Sequence, residues 1–190
     1  MDINSVKKNK LFFITIPMVI IVVGALLMIS TIIMPYASAT SEQLEVIESM
    51  KGYNYTSVAG LTVDEMDNIS MIEYAKAYNE LSNQIWGNPD FGKIYSAFIT
   101  LMSAFSLIAI LFASAKKPIG TVISVVVAFA IFMVQSWDYT DRGVIGNGNY
   151  VWGIGYYIFY VAAATVLIGA IWMMVGKKKI KSLSIEQALA

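Results

Sequence analysis

Hydrophobic and polar residues are sorted along this chain into long blocks. Residues 11–35 contain no charged side chain, and neither do 94–115, 118–136 and 150–176. A helix needs about 17–25 apolar residues to cross a hydrocarbon core of roughly 30 Å. At ~1.5 Å per residue the first block is about 37 Å long, enough to cross with some tilt. Pro17 inside it predicts a kink close to the chain start. The pattern therefore predicts four transmembrane helices over 11–35, 94–115, 118–136 and 150–176. Between the second and third, Lys116-Lys117 leaves room only for a tight turn, so those two form an antiparallel hairpin. A basic start, an apolar run and then Ala37-Ser38-Ala39 also match a secretory signal with its cleavage site. The run exceeds the ~7–15 residues of a signal core, which favours an uncleaved anchor.

The polar blocks divide into one long segment, 36–93, and one short loop, 137–149. In the long segment Thr40-Ser41-Glu42-Gln43 reads as a capping box. It opens a helix over about 41–51, with Leu44, Ile47 and Met50 on one face and Gly52 as its stop. Residues 53–58 have the aromatic and β-branched character of a short strand. Two further boxes, Thr62 with Glu65 and Ser70 with Glu73, open a helix over about 63–86. Along it Ile69, Ile72, Ala75, Tyr78, Leu81 and Ile85 recur every three or four residues as one apolar stripe. Gly87-Asn88-Pro89-Asp90 ends it as a turn. The stripe must be covered by the ends of the membrane helices, by the shorter helix, or by a partner. A segment of this size without cysteines is too small to stand alone. It is expected to lean on the spans, on the short loop, or on a partner.

Charge adds orientation. Formal net charge is zero, with 13 basic and 13 acidic residues among 190. The lysines cluster in the leader (Lys7, Lys8, Lys10), in the Lys116-Lys117 turn and in the tail (Lys177, Lys178, Lys179, Lys181). Successive crossings put all three clusters on one side, which the positive-inside rule makes cytoplasmic. Most acids fall in 36–93 and 137–149, on the other side. The fold expected is an all-α integral membrane protein with both termini inside and a mainly helical extracellular segment between the first two spans. The leader 1–10, the turn 116–117 and the tail 177–190 are then cytoplasmic, and 36–93 and 137–149 extracellular. The location expected is the plasma membrane. The lysine, isoleucine and asparagine usage points to an AT-rich, bacterial genome.

Composition narrows the chemistry. The chain is 57% hydrophobic and only 14% charged, with no histidine and no cysteine. That removes disulfides, thiolate chemistry and the commonest metal ligand and general base. No span carries an ionisable group of the kind that marks ion coupling or catalysis within a bilayer. No phosphate-binding glycine loop occurs. Asp138, Asp141, Asn147 and Asn149 offer oxygen ligands of the type calcium uses, but their spacing does not match an EF-hand loop. Asp138 and Asp141 are expected to cap a helix or turn, and Arg142 to pair with an acid of the larger segment. Tyr150, Trp152, Tyr156, Tyr157 and Tyr160 are expected as headgroup-level anchors. Claudins and tetraspanins also have four spans, but both rely on outer-loop cysteines that this chain lacks, and neither family is assigned.

Within lipid, helices associate through close packing of small residues. Ser96, Thr100 and Ala104 on the second span, then Ala109 and Ala113, and Gly120, Ser124 and Ala128 on the third are expected to face each other. Thr165 and Gly169 offer the same on the fourth. No enzymatic activity, cofactor, metal or nucleic-acid binding is expected. The reading is a non-catalytic subunit or accessory of a membrane complex, embedded in the bilayer and binding a protein partner or its own copies. Candidate contact residues are Ile69, Ile72, Tyr78, Leu81, Ile85, Trp86, Trp137, Asp138, Asp141 and Arg142. Alternatives are a homo-oligomeric pore or passive permease and, more distantly, a ligand sensor or immunity-type protector.

Overall fold

A computed structural model of the chain describes residues 11–52, 60–85 and 90–189. The leader, the strand expected over 53–58, Trp86 and the turn residues Gly87, Asn88 and Pro89 lie outside the described residues. A π-helical stretch, Leu11–Thr15, leads into α1, Ile16–Ser30. Strand β1, Pro35–Ala39, is followed by α2, Ser41–Gly52. A 3-10 turn, Asp64–Met66, and strand β2, Asn68–Ser70, precede α3, Met71–Ile85. Helices α4, Asp90–Ser114, and α5, Pro118–Asp141, form the hairpin. Strand β3, Tyr150–Trp152, leads into α6, Ile154–Leu189. Four helices are long and apolar enough to cross a membrane.

The chain is mostly helical but not all-α, which corrects the expected class. Three short strands form an antiparallel sheet in the order β2-β1-β3. Its central strand takes the Ala37-Ser38-Ala39 stretch, so residues with a cleavage-site pattern are paired on both sides. The reason α1 stops at Ser30 lies in Pro35. Proline has no N–H to continue the ladder and disfavours helix at the residue before it. The chain accordingly tightens through i to i+3 bonds, with Ile33 N–H donating to the Ser30 carbonyl and Met34 N–H to that of Thr31, and then extends. Pro17 falls at the start of α1, after the π-helical stretch, where a missing N–H interrupts least. The fourth span likewise starts later than expected, because 150–152 are strand.

The expected helix over 63–86 is interrupted. The Thr62–Glu65 box forms, with Thr62 N–H donating to the Glu65 carboxylate at 2.7 Å, but it closes only a 3-10 turn. That N–H is also the main cause holding the Glu65 carboxyl below its ordinary value. Chain then extends as β2 to pair with β1 before the Ser70–Glu73 box starts α3, with Ser70 N–H to Glu73 at 2.7 Å and the return bond at 3.2 Å. Lys51 at the end of α2 bridges to Asp64 at 3.0 Å, joining the two halves of the segment.

In the bundle α1 packs against α4 and α6, and α5 packs against the same two. Glycines set the closeness of α1 to α6. A Cβ on Gly169 would stand 2.8 Å from Ile21 and 3.1 Å from the Pro17 carbonyl oxygen. The small residues expected across the α4–α5 hairpin differ in burial. Ser124 and Ala128 are buried, and Gly120 lies against the Phe112 ring. Ser96 and Thr100 are exposed and Ala104 is half-buried. The α4 residues turned inward include Tyr95, Met102, Ser106, Ala109 and Ala113, the last two from the expected stripe. From Met102 on their spacing is four, three and four residues, as one face of a helix requires. Thr165 is half-buried and hydrogen-bonds back to the Val161 carbonyl at 2.8 Å. The bundle thus has a sheet end and a lysine end, where the Lys177 ammonium donates to the Lys116 carbonyl at 2.9 Å.

Candidate functional site

Tyr36, the second residue of β1, is fully buried. Its hydroxyl is 2.5 Å from Ser136 Oγ on α5, and Ser136 in turn donates to the Phe132 carbonyl. Its ring meets Phe132, Tyr139, Trp152 and Tyr156 edge-on, with centroids 4.9–5.9 Å apart. Edge-to-face contacts of this kind add about 0.5–1.5 kcal/mol each beyond area burial. One side chain of the sheet is therefore plugged into the top of the bundle. Burial pushes the Tyr36 and Tyr74 phenols well above the ordinary tyrosine value, so both stay neutral across the physiological range.

A second group of tyrosines seats α3 on the bundle. Tyr74 stacks on Tyr139 at 3.8 Å and meets Tyr95 at 5.2 Å, and Tyr78 lies 4.4 Å from Tyr95. The apolar stripe expected on α3 is thus covered by the ends of α4 and α5. Its membership shifts. Met71, Tyr74, Ala75, Tyr78 and Ser82 form the buried face, while Ile72 is 49% exposed and Leu81 half-buried. The rings carry the contact, through stacked and edge-on packing. Ile69 is buried in β2 instead, and Ile85 closes α3.

The short loop contributes through β3 and through its own hydrogen bonds. Thr40 donates its N–H to Asn149 and its hydroxyl to the Gly148 carbonyl, both at 2.8 Å. Gly148 has a φ of +91°, a conformation side chains disfavour, which fits the turn expected at Asn147-Gly148. Asn147 accepts from the Asn149 N–H at 2.9 Å, closing the turn on itself. Arg142 is the C-cap residue of α5. It pairs one turn back with Asp138, at 2.8 and 3.0 Å, because α5 runs on to Asp141 and places the two on one face. It also reaches the larger segment, with its guanidinium 4.8 Å over the Tyr78 ring.

The candidate contact residues therefore separate. Tyr78, Asp138 and Arg142 come together, but as an internal joint between α3 and α5. Ile72, Trp137 and Asp141 remain on the surface, Trp137 at 65% exposure. Of the expected headgroup anchors only Tyr157 is exposed. Tyr156 and Tyr160 hydrogen-bond to each other at 3.0 Å, Trp152 stacks on Tyr156 at 4.1 Å, and the Tyr150 hydroxyl donates to the Met66 carbonyl. Sequence reasoning missed the Tyr36 plug, whose only local signal is an aromatic directly after Pro35.

What stays open beside the joint is a cleft of about 490 Å³ between α3 and α4. Ile72, Ala75, Lys76 and Asn79 line one wall and Ser96, Ile99 and Thr100 the other. The Ser96 and Thr100 hydroxyls bond back to the carbonyls of Gly92 and Ser96, so neither needs a partner to be satisfied. Among the described residues no three of Asp, Glu, His or Cys are grouped to hold a metal ion. No protein-family model matches the chain, and searches of curated proteins and of solved structures find no match.

Proposed function

We propose that this chain is a non-catalytic subunit of a plasma-membrane complex, with the sheet end outside the cell and the lysine end in the cytoplasm. Its α3–α4 cleft would receive a helix of a partner protein. The observation that supports this reading is the cleft's composition. Small residues on the α4 wall permit close backbone approach, which is how helices associate in lipid. Ile72 on the opposite wall offers an apolar contact at the rim, beside the polar Lys76 and Asn79. The neighbouring tyrosine joint packs α3 against the ends of α4 and α5 beside the cleft.

A photo-crosslinking residue at Ile72 or Thr100, in membranes of the native cell, is expected to trap a discrete larger species. The same probe at Ile123, exposed on α5 away from the cleft, is expected to trap none. A Ser96→Leu substitution should abolish the product by filling the approach. Recovering monomer alone from the cleft positions would sink the proposal.

A further inference from the structure

At the opposite end of the bundle lies a groove of about 620 Å³ between the start of α5 and the end of the apolar part of α6. Its floor and walls are apolar, from Phe112, Ile119, Met174 and Val175. Ile119 is 67% and Val175 57% exposed, so the groove opens sideways, toward where acyl chains would lie. Lys117, Lys177 and Lys178 stand at its mouth, and its lining includes no acid. Lys177 is held there by its hydrogen bond to the Lys116 carbonyl, with two further N–H groups left on the ammonium. The mouth also receives the start of α5, where Pro118 opens the helix and Lys117 provides no side-chain cap. The positive end of that helix dipole adds to the three ammonium charges. The volume lies within the roughly 300–1,000 Å³ of small-ligand sites.

We infer that this groove binds one anionic phospholipid, with an acyl chain on the apolar walls and the phosphate headgroup at Lys117, Lys177 and Lys178. Charge complementarity selects the headgroup, and lateral openness selects a lipid over a soluble anion. The inference does not depend on the proposed partner.

The test is native mass spectrometry of the full chain in neutral detergent, titrated with phosphatidylglycerol or phosphatidylcholine. One phosphatidylglycerol is expected to bind at least about tenfold more tightly than phosphatidylcholine. Each lysine near an anionic surface is worth roughly a factor of five, so Lys177→Gln with Lys178→Gln should weaken binding about 25-fold. Lys181→Gln, which removes a charge outside the groove, should change it by less than about twofold. Val175→Trp fills the groove without altering charge and should also weaken binding. If that variant does not fold, Ile119→Trp on the other wall replaces it. Equal affinity for the two lipids, equal effects of the Lys177/Lys178 pair and of Lys181, or no effect of filling the groove would each overturn the inference.

Discussion

Removing the hydroxyl of Tyr36 would leave Ser136 with its bond to the Phe132 carbonyl, so no buried group is stranded. Tyr36→Phe should therefore cost only ~1 kcal/mol, the net worth of one hydrogen bond. Tyr36→Ala removes the ring from four aromatic neighbours and should cost about 3–5 kcal/mol. Thermal unfolding in detergent separates the two. Equal losses would show that the hydroxyl, not the ring, holds the sheet to the bundle. At this scale the sequence was least legible. A tyrosine among small residues carries no sign of what it will touch a hundred positions later. Aromatics near an expected bilayer surface read equally well as anchors, and here Tyr156 and Tyr160 are instead tied to each other. The outward placement of Ser96 and Thr100 has the same root, since a period of four identifies a face but not its neighbour.

Helices announced themselves because each apolar block is self-contained: a span satisfies its own backbone within one segment. Capping boxes were equally local, and two of them form with both reciprocal bonds. Strands were hidden for the opposite reason. A sheet whose strands come from residues 35–39, 68–70 and 150–152 stores its information in pairing, not in any one stretch. The sequence pattern places β2 in a helix because the Ser70 box beside it is a genuine helix start. Gly153 shows how tightly the sheet meets α6. A Cβ there would stand 2.4 Å from the Pro35 carbonyl oxygen, and the Gly153 N–H donates to the Tyr36 carbonyl at 2.8 Å. Gly153→Ala should push β3 off β1 at a cost of about 1–3 kcal/mol. Amide hydrogen exchange should then rise at Ala37 and Ser38 while α4 and α5 stay protected. Unchanged exchange would mean that the junction has more room than its distances imply.

At the scale of the molecule the two ends differ in charge and in architecture, and the proposed orientation can be read directly. Cysteines at Glu45 and Lys116, both exposed and at opposite ends, provide the labels. In intact cells an impermeant thiol reagent should modify Glu45→Cys at once and Lys116→Cys only after permeabilisation. The reverse order would invert the topology. At this level the sequence carries the four spans best, since each apolar block is long enough to cross by itself.

The central position of β1 has a consequence for how the molecule is made. Its two partners lie about 30 and 115 residues further along the chain. While the ribosome is still synthesising the α4–α5 hairpin, β1 has one neighbour at most and Tyr36 has no Trp152 or Tyr156 to meet. Contacts so distant in sequence form late. The sheet end must therefore wait, with an open strand edge, until the last span has entered the bilayer. A chaperone or insertase that shields that edge during the interval would act before the final helix arrives, and not after.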